Sequence, residues 1–323
     1  MKKLGFIACF SFCVATVGAQ HSVNSFFDRM GVARIQTVDY SGTHDTIINL
    51  DPRMDDVIWS RIVYRIVDMR YKQNYQLYFP TTSTDPHYRS LLKVIIDAVI
   101  DGMPIYQKND NNIKPNDFEY ATPLTKEEIP QLFLAGNETE YQKSHNTPET
   151  QDSLHLDITK SSEMAVLYDP SSDSLRFNAY AFDGDMGLAK NQLKYLTQEM
   201  VYFDKHTSRL YTKIIAIAPL YADRIDSKEP LKALHESIMF WIPFNELRPY
   251  LALQYIIPSQ NETKRVTYDD FFQKRLYSSY IIGEGNIYNR FIPEYCFTEE
   301  EIKKEQARIE QELLTFEQDL WEY

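Results

Sequence analysis

Residues 198–220 read QEMVYFDKHTSRLYTKIIAIAPL, and this stretch restricts the fold more than any other. Apolar and polar residues alternate on both sides of a polar turn, Asp204 to Ser208. A period of two puts successive side chains on opposite faces of a strand, so the pattern predicts a β-hairpin. Upstream, MAVLYDPSSDSLRFNAYAF reads as two more strands joined by an Asp-Pro-Ser-Ser-Asp turn. IMFWIPF and LALQYIIPS are further apolar runs ended by prolines. The middle of the chain is expected to hold antiparallel strands.

Helical spacing is expected toward both ends. Asp51-Pro52 supplies an N-cap and a first-turn proline. After it, Ile58, Trp59, Ile62, Ile66 and Met69 share one face at helical spacing, and Val63 and Val67 widen that face. Arg61, Arg65 and Asp68 share the other side, with Arg65 and Asp68 one turn apart. So wide an apolar face predicts a helix touching two apolar surfaces. A second helix follows Thr84-Asp85-Pro86, carries a charged ridge at Arg89, Lys93, Asp97 and Asp101, and stops at Gly102. Thr125 and Glu128 form a capping box for a short helix, and another helix starts near Thr267. The last element runs from a capping box at Thr298 and Glu301. Its apolar residues Ile302, Ile309, Leu313, Phe316 and Leu320 form a narrow seam, as in a docking or coiled-coil helix. That seam has two readings, docking on a partner and packing back on its own core. Residues 20–50 show no lasting period and read as an extended arm. The expected fold is α+β: antiparallel strands in the middle, helices near both ends, and an extended N-terminal arm.

With 323 residues, the chain is long enough for one large domain or two closely joined ones. MKKLGFIACFSFCVATVGA has two lysines, an apolar run and a small-residue end, the pattern of a signal peptide over residues 1–19. The core is expected over 51–295 and the amphipathic terminal helix over 296–323. Formal net charge is −12, which argues against nucleic acid and against direct adhesion to an anionic membrane. Removing the signal leaves Cys296 as the one cysteine, so no disulfide forms within the chain. Its neighbours Tyr295 and Phe297 suggest burial. Tyrosine is abundant at 23 residues, which suits half-buried strands and contact surfaces.

Motifs that carry chemistry are weak. Histidines 21, 44, 87, 145, 155, 206 and 235 lack metal-ligand spacing. There is no G-x-S-x-G for a serine nucleophile. Asp169–Asp173 has the acids of a calcium loop, but Ser174 stands where glycine is needed and Tyr180 where glutamate is needed. A turn is the better reading, and Asp183-Gly-Asp185 reads the same way. Paired carboxylates for glycoside cleavage stay open as an alternative, because their separation is invisible in sequence. The N-E-T triplets at Asn137 and Asn261 match glycosylation acceptors. No catalytic residue, cofactor or metal is assigned.

Four blocks carry a resemblance. DDVIWSRIVYRIVDMRYKQNYQLYFP, YFDKHTSRLYTKIIAIAPL, FWIPFNELRPYLALQYIIPSQNETKRVTYDDFFQKRLYSSYI and NIYNRFIPEY, in that order, resemble the GldN/PorN family. Its members are exported proteins of Bacteroidetes needed for gliding motility and type IX secretion. The resemblance implies a non-enzymatic structural subunit of a periplasmic ring, attached to the outer membrane through a lipoprotein of the PorK/GldK type. It also implies contact with the periplasmic part of a motor protein of the PorM/GldM type, and copies of this chain side by side in the ring. A free periplasmic binding module and an exported cell-wall glycan hydrolase are the alternatives.

A ring subunit needs at least two separate contact surfaces. Interfaces lean on a few aromatic and arginine anchors. The candidates are Trp59, Arg61, Arg65, Trp241 and Trp321, with the terminal seam Ile302, Ile309, Leu313, Phe316 and Leu320.

Overall fold

Val57–Asp68 is a strand, β1, where helical spacing predicts a helix. Val57, Ile58, Trp59, Ile62, Val63, Tyr64, Ile66 and Val67 are β-branched or aromatic, which favours a strand. The central residues are buried on both faces: Val63 and Val67 are 0% exposed, and Tyr64 between them 2%. A strand covered on both sides carries apolar residues without a gap, and such a run also satisfies a helical period. Arg61 and Arg65 consequently lie on the same face as Trp59 and Val63, not opposite them. Asp68 pairs with the neighbouring Arg70, whose Nε donates to it at 2.9 Å, instead of with Arg65.

In this computed structural model the described residues are 54–81, 85, 87–107, 122–133, 164–183, 188–223, 235–257, 266–285 and 290–319. The expected signal peptide and arm, the triplets at Asn137 and Asn261, and the seam residues Leu320 and Trp321 lie outside them.

β1 sits inside an antiparallel sheet with β4 (Lys194–Asp204), β5 (Arg209–Asp223), β6 (His235–Ile238), β7 (Ile242–Pro243) and β8 (Tyr280–Glu284). The strand order is β6-β5-β4-β1-β8, and β7 also pairs with β5. The hairpin read from residues 198–220 is β4–β5, with Asp204 opposite Arg209. Its turn puts Ser208 at φ 53°, and Asp204 accepts the His206 backbone N–H at 2.8 Å. β2 (Val166–Asp169) and β3 (Ser174–Phe177) form the expected second hairpin, as a separate pair. Its turn uses the acids of the calcium-like stretch: Asp169 accepts from the Ser171 N–H at 3.0 Å and pairs with Arg176 at 2.7 Å.

The helices are α1 (Leu91–Ile100), α2 (Phe244–Ala252), α3 (Tyr268–Gln273) and α4 (Glu299–Asp319), with short helical turns elsewhere. α1 starts later than expected, capped by the Ser90 hydroxyl, and is followed by Gly102 at φ 97°. Thr267 caps α3 through the Asp270 N–H at 3.1 Å. Thr298 and Glu301 close the predicted box of α4, each accepting from the other's backbone N–H at 3.3 Å.

Register sorts the sheet into two faces. Trp59, Arg61, Val63, Arg65 and Val67 point to one, opposite Phe203, Val201, Glu199, Thr197 and Tyr195 of β4. At the Val67 end, this face joins the main buried cluster with α1, α2 and α3. At the Trp59 end it is covered by α4, through Ile302, Ile309 and Leu313. The other face carries Ile62, Tyr64, Ile66, Leu196, Met200 and Ala218. At the β8 edge, Phe291 packs on Tyr64 of that other face while Ile292 joins the α4 cluster.

Candidate interaction surface at the seam of sheet and terminal helix

Alternation along β1 lines up Trp59, Arg61, Val63 and Arg65 under α4. The helix answers with an apolar ridge and flanking carboxylates. Trp59 stacks on Phe316 with ring centroids 4.3 Å apart. Ile309 is 0% exposed, wedged among Val63, Val201, Ile281 and Ile292. Burying a side chain of this kind contributes about 1.5–3 kcal/mol.

Charges flank the ridge. Arg61 donates to Glu284 of β8 at 3.2 Å and to Glu312 of α4 at 3.1 Å, and its guanidinium lies 5.5 Å from the Trp59 ring centre. Arg308 of α4 reaches Glu284 at 3.3 Å and Glu305 at 2.7 Å, and also pairs with Glu312. Two arginines and three glutamates thus alternate across β1, β8 and α4. The Arg61 guanidinium holds the Glu312 carboxyl below the usual range, and Arg308 does the same to Glu305. Exposed pairs of this kind are worth little singly; a network also fixes orientation.

Deeper in the seam lies Glu199, fully buried on β4. Arg275 Nη2 donates to it at 2.7 Å, the Tyr277 hydroxyl at 2.9 Å and the Thr197 hydroxyl at 3.2 Å. Arg65 Nε stands 3.3 Å away, and its other end reaches Glu310 of α4 at 3.8 Å. Two arginines are thereby balanced by two carboxylates, one from the sheet and one from the helix. Burial and then the adjacent Glu199 push the Tyr277 hydroxyl well above its ordinary pKa, so it stays a donor. The cluster sits where the α1–α3 layer gives way to α4.

The structure therefore brings Trp59, Arg61, Arg65, Ile302, Ile309, Leu313 and Phe316 to one place, and they meet within the chain. Trp241 is elsewhere. It is 2% exposed, packed on the opposite sheet face and joined to Tyr106 by paired backbone bonds of 2.9 and 2.8 Å. It is a core residue and not a surface anchor, because β7 follows it directly and draws it inside. Glu199, Arg275, Tyr277, Glu284 and Arg308 were not legible as partners. The one signal was Thr197-Gln198-Glu199, a polar triplet inside an apolar strand.

What remains open to solvent is the rim. An open groove of about 480 Å³ runs along Trp59, Arg61, Arg308, Glu312, Leu313 and Phe316. The outward side of α4 is polar apart from Ala307 and Leu314, the latter 52% exposed. Among the described residues, no three His, Cys, Asp or Glu side chains are grouped as a metal site, and no helix is long and apolar enough to cross a membrane. Cys296 is half-buried, and burial, then Glu305 and Glu301, push its thiol up and away from a reactive thiolate.

Fold and surface together define an α+β protein whose charged side chains hold its own layers together. The chain belongs to the GldN family: the family model for gliding motility associated protein GldN matches residues 52–322. This makes it a gliding motility-associated protein of a family not known for enzymes. No curated protein matches the chain.

Proposed function

We propose that the protein is a non-enzymatic structural subunit of a periplasmic ring serving type IX secretion and gliding motility. In this reading it assembles with copies of itself and with an outer-membrane lipoprotein of the PorK/GldK type. It also meets the periplasmic part of a PorM/GldM-type motor protein. The observation that carries the reading is the family match over residues 52–322. The seam adds support. A subunit under mechanical load gains from layers cross-linked by ion pairs, and α4 is tied to two strands at Arg61, Arg65 and Glu284. The rim of that seam offers a tryptophan and an arginine, the residue types enriched where partners bind most strongly.

Co-expression with the lipoprotein, followed by solubilisation and sizing, tests the proposal. The expected result is co-elution in particles far larger than the 38.0 kDa chain. A monomer indifferent to the lipoprotein, in cells whose gliding and secretion survive deletion of the gene, would overturn it.

A further inference from the structure

The chain that leaves β1 carries a ridge of open rings. Tyr71, Tyr75 and Phe79 follow at four-residue spacing and are 47%, 46% and 44% exposed. The Tyr75 N–H bonds to the Tyr71 carbonyl at 3.0 Å, one helical turn that sets their side chains next to each other. The Tyr75 and Phe79 rings meet edge to face, with 5.6 Å between centres. Their base is fixed from below. Leu77 is buried, and the buried Asn74 amide donates to the Asp68 carbonyl at 2.8 Å and to the Ser278 carbonyl at 2.6 Å. Its oxygen accepts from the Ser278 N–H at 2.8 Å. That staple brings in the stretch 275–278, whose Leu276 is also half-exposed. Three rings nearly half open leave on the order of 300 Å² of aromatic surface. That is the size of the largest patch on an ordinary monomer, and such a patch is often a binding site. Rings held in place lose little freedom when a partner covers them.

Charge points to what covers the ridge. Residues 69–80 hold Arg70 and Lys72, and residues 271–282 hold Lys274 and Arg275, with no acid in either stretch, in a chain of formal net charge −12. Asp68, Asp270 and Glu199 pair with Arg70, Lys274 and Arg275. Lys72 has no such pair among the described residues. The opposite character lies on the second half of α4, where residues 309–319 carry Glu310, Glu312, Glu317 and Asp319 and no base. On its outward side Leu314 stands between Glu310 and Glu317, one turn away on either side and both exposed. Glu317 has no ion-pair partner among the described residues. An apolar side chain flanked by carboxylates matches a ridge of rings flanked by cations. Within one chain the two surfaces stand apart. Phe316 holds that half of α4 over Trp59, whereas the ridge follows Asp68 at the other end of β1, about 30 Å along the strand.

We propose that the ridge of Tyr71, Tyr75 and Phe79 is a docking surface for a second copy of this chain, seated on the outward side of that copy's α4 around Leu314. Lys72 of one copy then faces Glu317 of the other. One surface meets a different one, so the contact is heterologous: each copy keeps a free ridge or a free helix, and copies add in one direction until the array closes or runs on. This contact rests on the ring reading and gives it the surfaces through which copies meet.

Cysteine cross-linking in the producing cells tests it. Tyr75→Cys and Leu314→Cys are placed in two differently tagged chains, both in a Cys296→Ser background, made together and mildly oxidised; the disulfides are read by mass spectrometry. Both positions are exposed, so folding should be unaffected. The expected product joins position 75 of one copy to position 314 of another, with no link from 75 to 75 or from 314 to 314. Adding Lys72→Glu to the first chain should lower the yield several-fold, and adding Glu317→Lys to the second should restore it. Like-with-like links overturn the proposal in favour of a two-fold contact, and links from position 75 to another protein overturn it in favour of a different partner. A yield that ignores Lys72→Glu, or that Glu317→Lys fails to restore, also overturns it. So does the absence of any link: if the chain still co-elutes with the lipoprotein in large particles, this contact alone is wrong, and if it does not, the ring reading falls with it.

Discussion

Replacing Glu199 with glutamine keeps the shape of the side chain and removes the charge that Arg65 and Arg275 share. Its amide oxygen can turn toward Arg275 Nη2 and Arg65 Nε, which lie 2.7 and 3.3 Å from the native Oε2. The amide N–H groups then donate to the Tyr277 and Thr197 hydroxyl oxygens, 2.9 and 3.2 Å from the native Oε1. The hydrogen bonds can be kept, but both guanidiniums now face a neutral group. Removing one partner of a buried ion pair costs about 3–5 kcal/mol. The two arginine side chains keep 17% and 35% of their exposure, and Glu310 stays 3.8 Å from Arg65. Solvent and that second carboxylate bring the expected cost to the lower end, about 3 kcal/mol. Urea unfolding followed by circular dichroism should show a lower midpoint at an unchanged slope. A cycle with Arg275→Met, which breaks the same pair, should leave a coupling of at least about 0.5 kcal/mol. A Glu199→Gln variant within about 0.5 kcal/mol of the parent, the size of an ordinary surface change, would refute the reasoning that this cluster joins the layers.

Three further outcomes follow from the same geometry. Ile309→Ala, at a fully buried position, should lower stability by about 2–4 kcal/mol; Leu314→Ala on the outward side of α4 should change it by less than about 0.5 kcal/mol. Equal effects in urea unfolding would show that α4 is not seated by that ridge. Gly283→Ala puts a methyl carbon 2.7 Å from the buried Phe291 ring, so an overpacking cost of about 1–3 kcal/mol is expected; a neutral result would mean the β8 edge yields freely. Acid should loosen α4. Arg308 and Arg61 hold Glu305 and Glu312 below their ordinary value of 4.5, so the unfolded helix binds more protons. The stabilisation is complete above that ordinary value and is lost as pH falls through the lowered ones. Exchange protection of α4 amides should therefore hold at neutral pH and decline in acid below about 4.5; a decline on the alkaline side instead would contradict the assignment.

Local chemistry made several elements readable. Thr267 and Thr298 announce helices because a hydroxyl placed before a helical run satisfies orphan N–H groups, whatever lies around it. The β4–β5 and β2–β3 hairpins were legible because polar turn residues interrupt an alternating pattern. β1 was not, since a strand dry on both sides loses its alternation, and the intended contrast between two faces vanishes with it. The anchors divide the same way. Trp59, Arg61 and the α4 ridge were readable as residues with unusual work to do. Trp241 has the same composition and sits in the core, because its place depends on how β7 folds back.

Sequence alone settled the family, the antiparallel centre and the amphipathic end, all of which rest on short-range patterns of turn, cap and period. Tertiary structure decided which surfaces those patterns face. Whether α4 meets its own sheet, and which carboxylates neutralise Arg61 and Arg65, depends on residues more than a hundred positions apart. Glu199, Arg275 and Glu310 come together only when the strands have paired in register, and no local pattern encodes that distance.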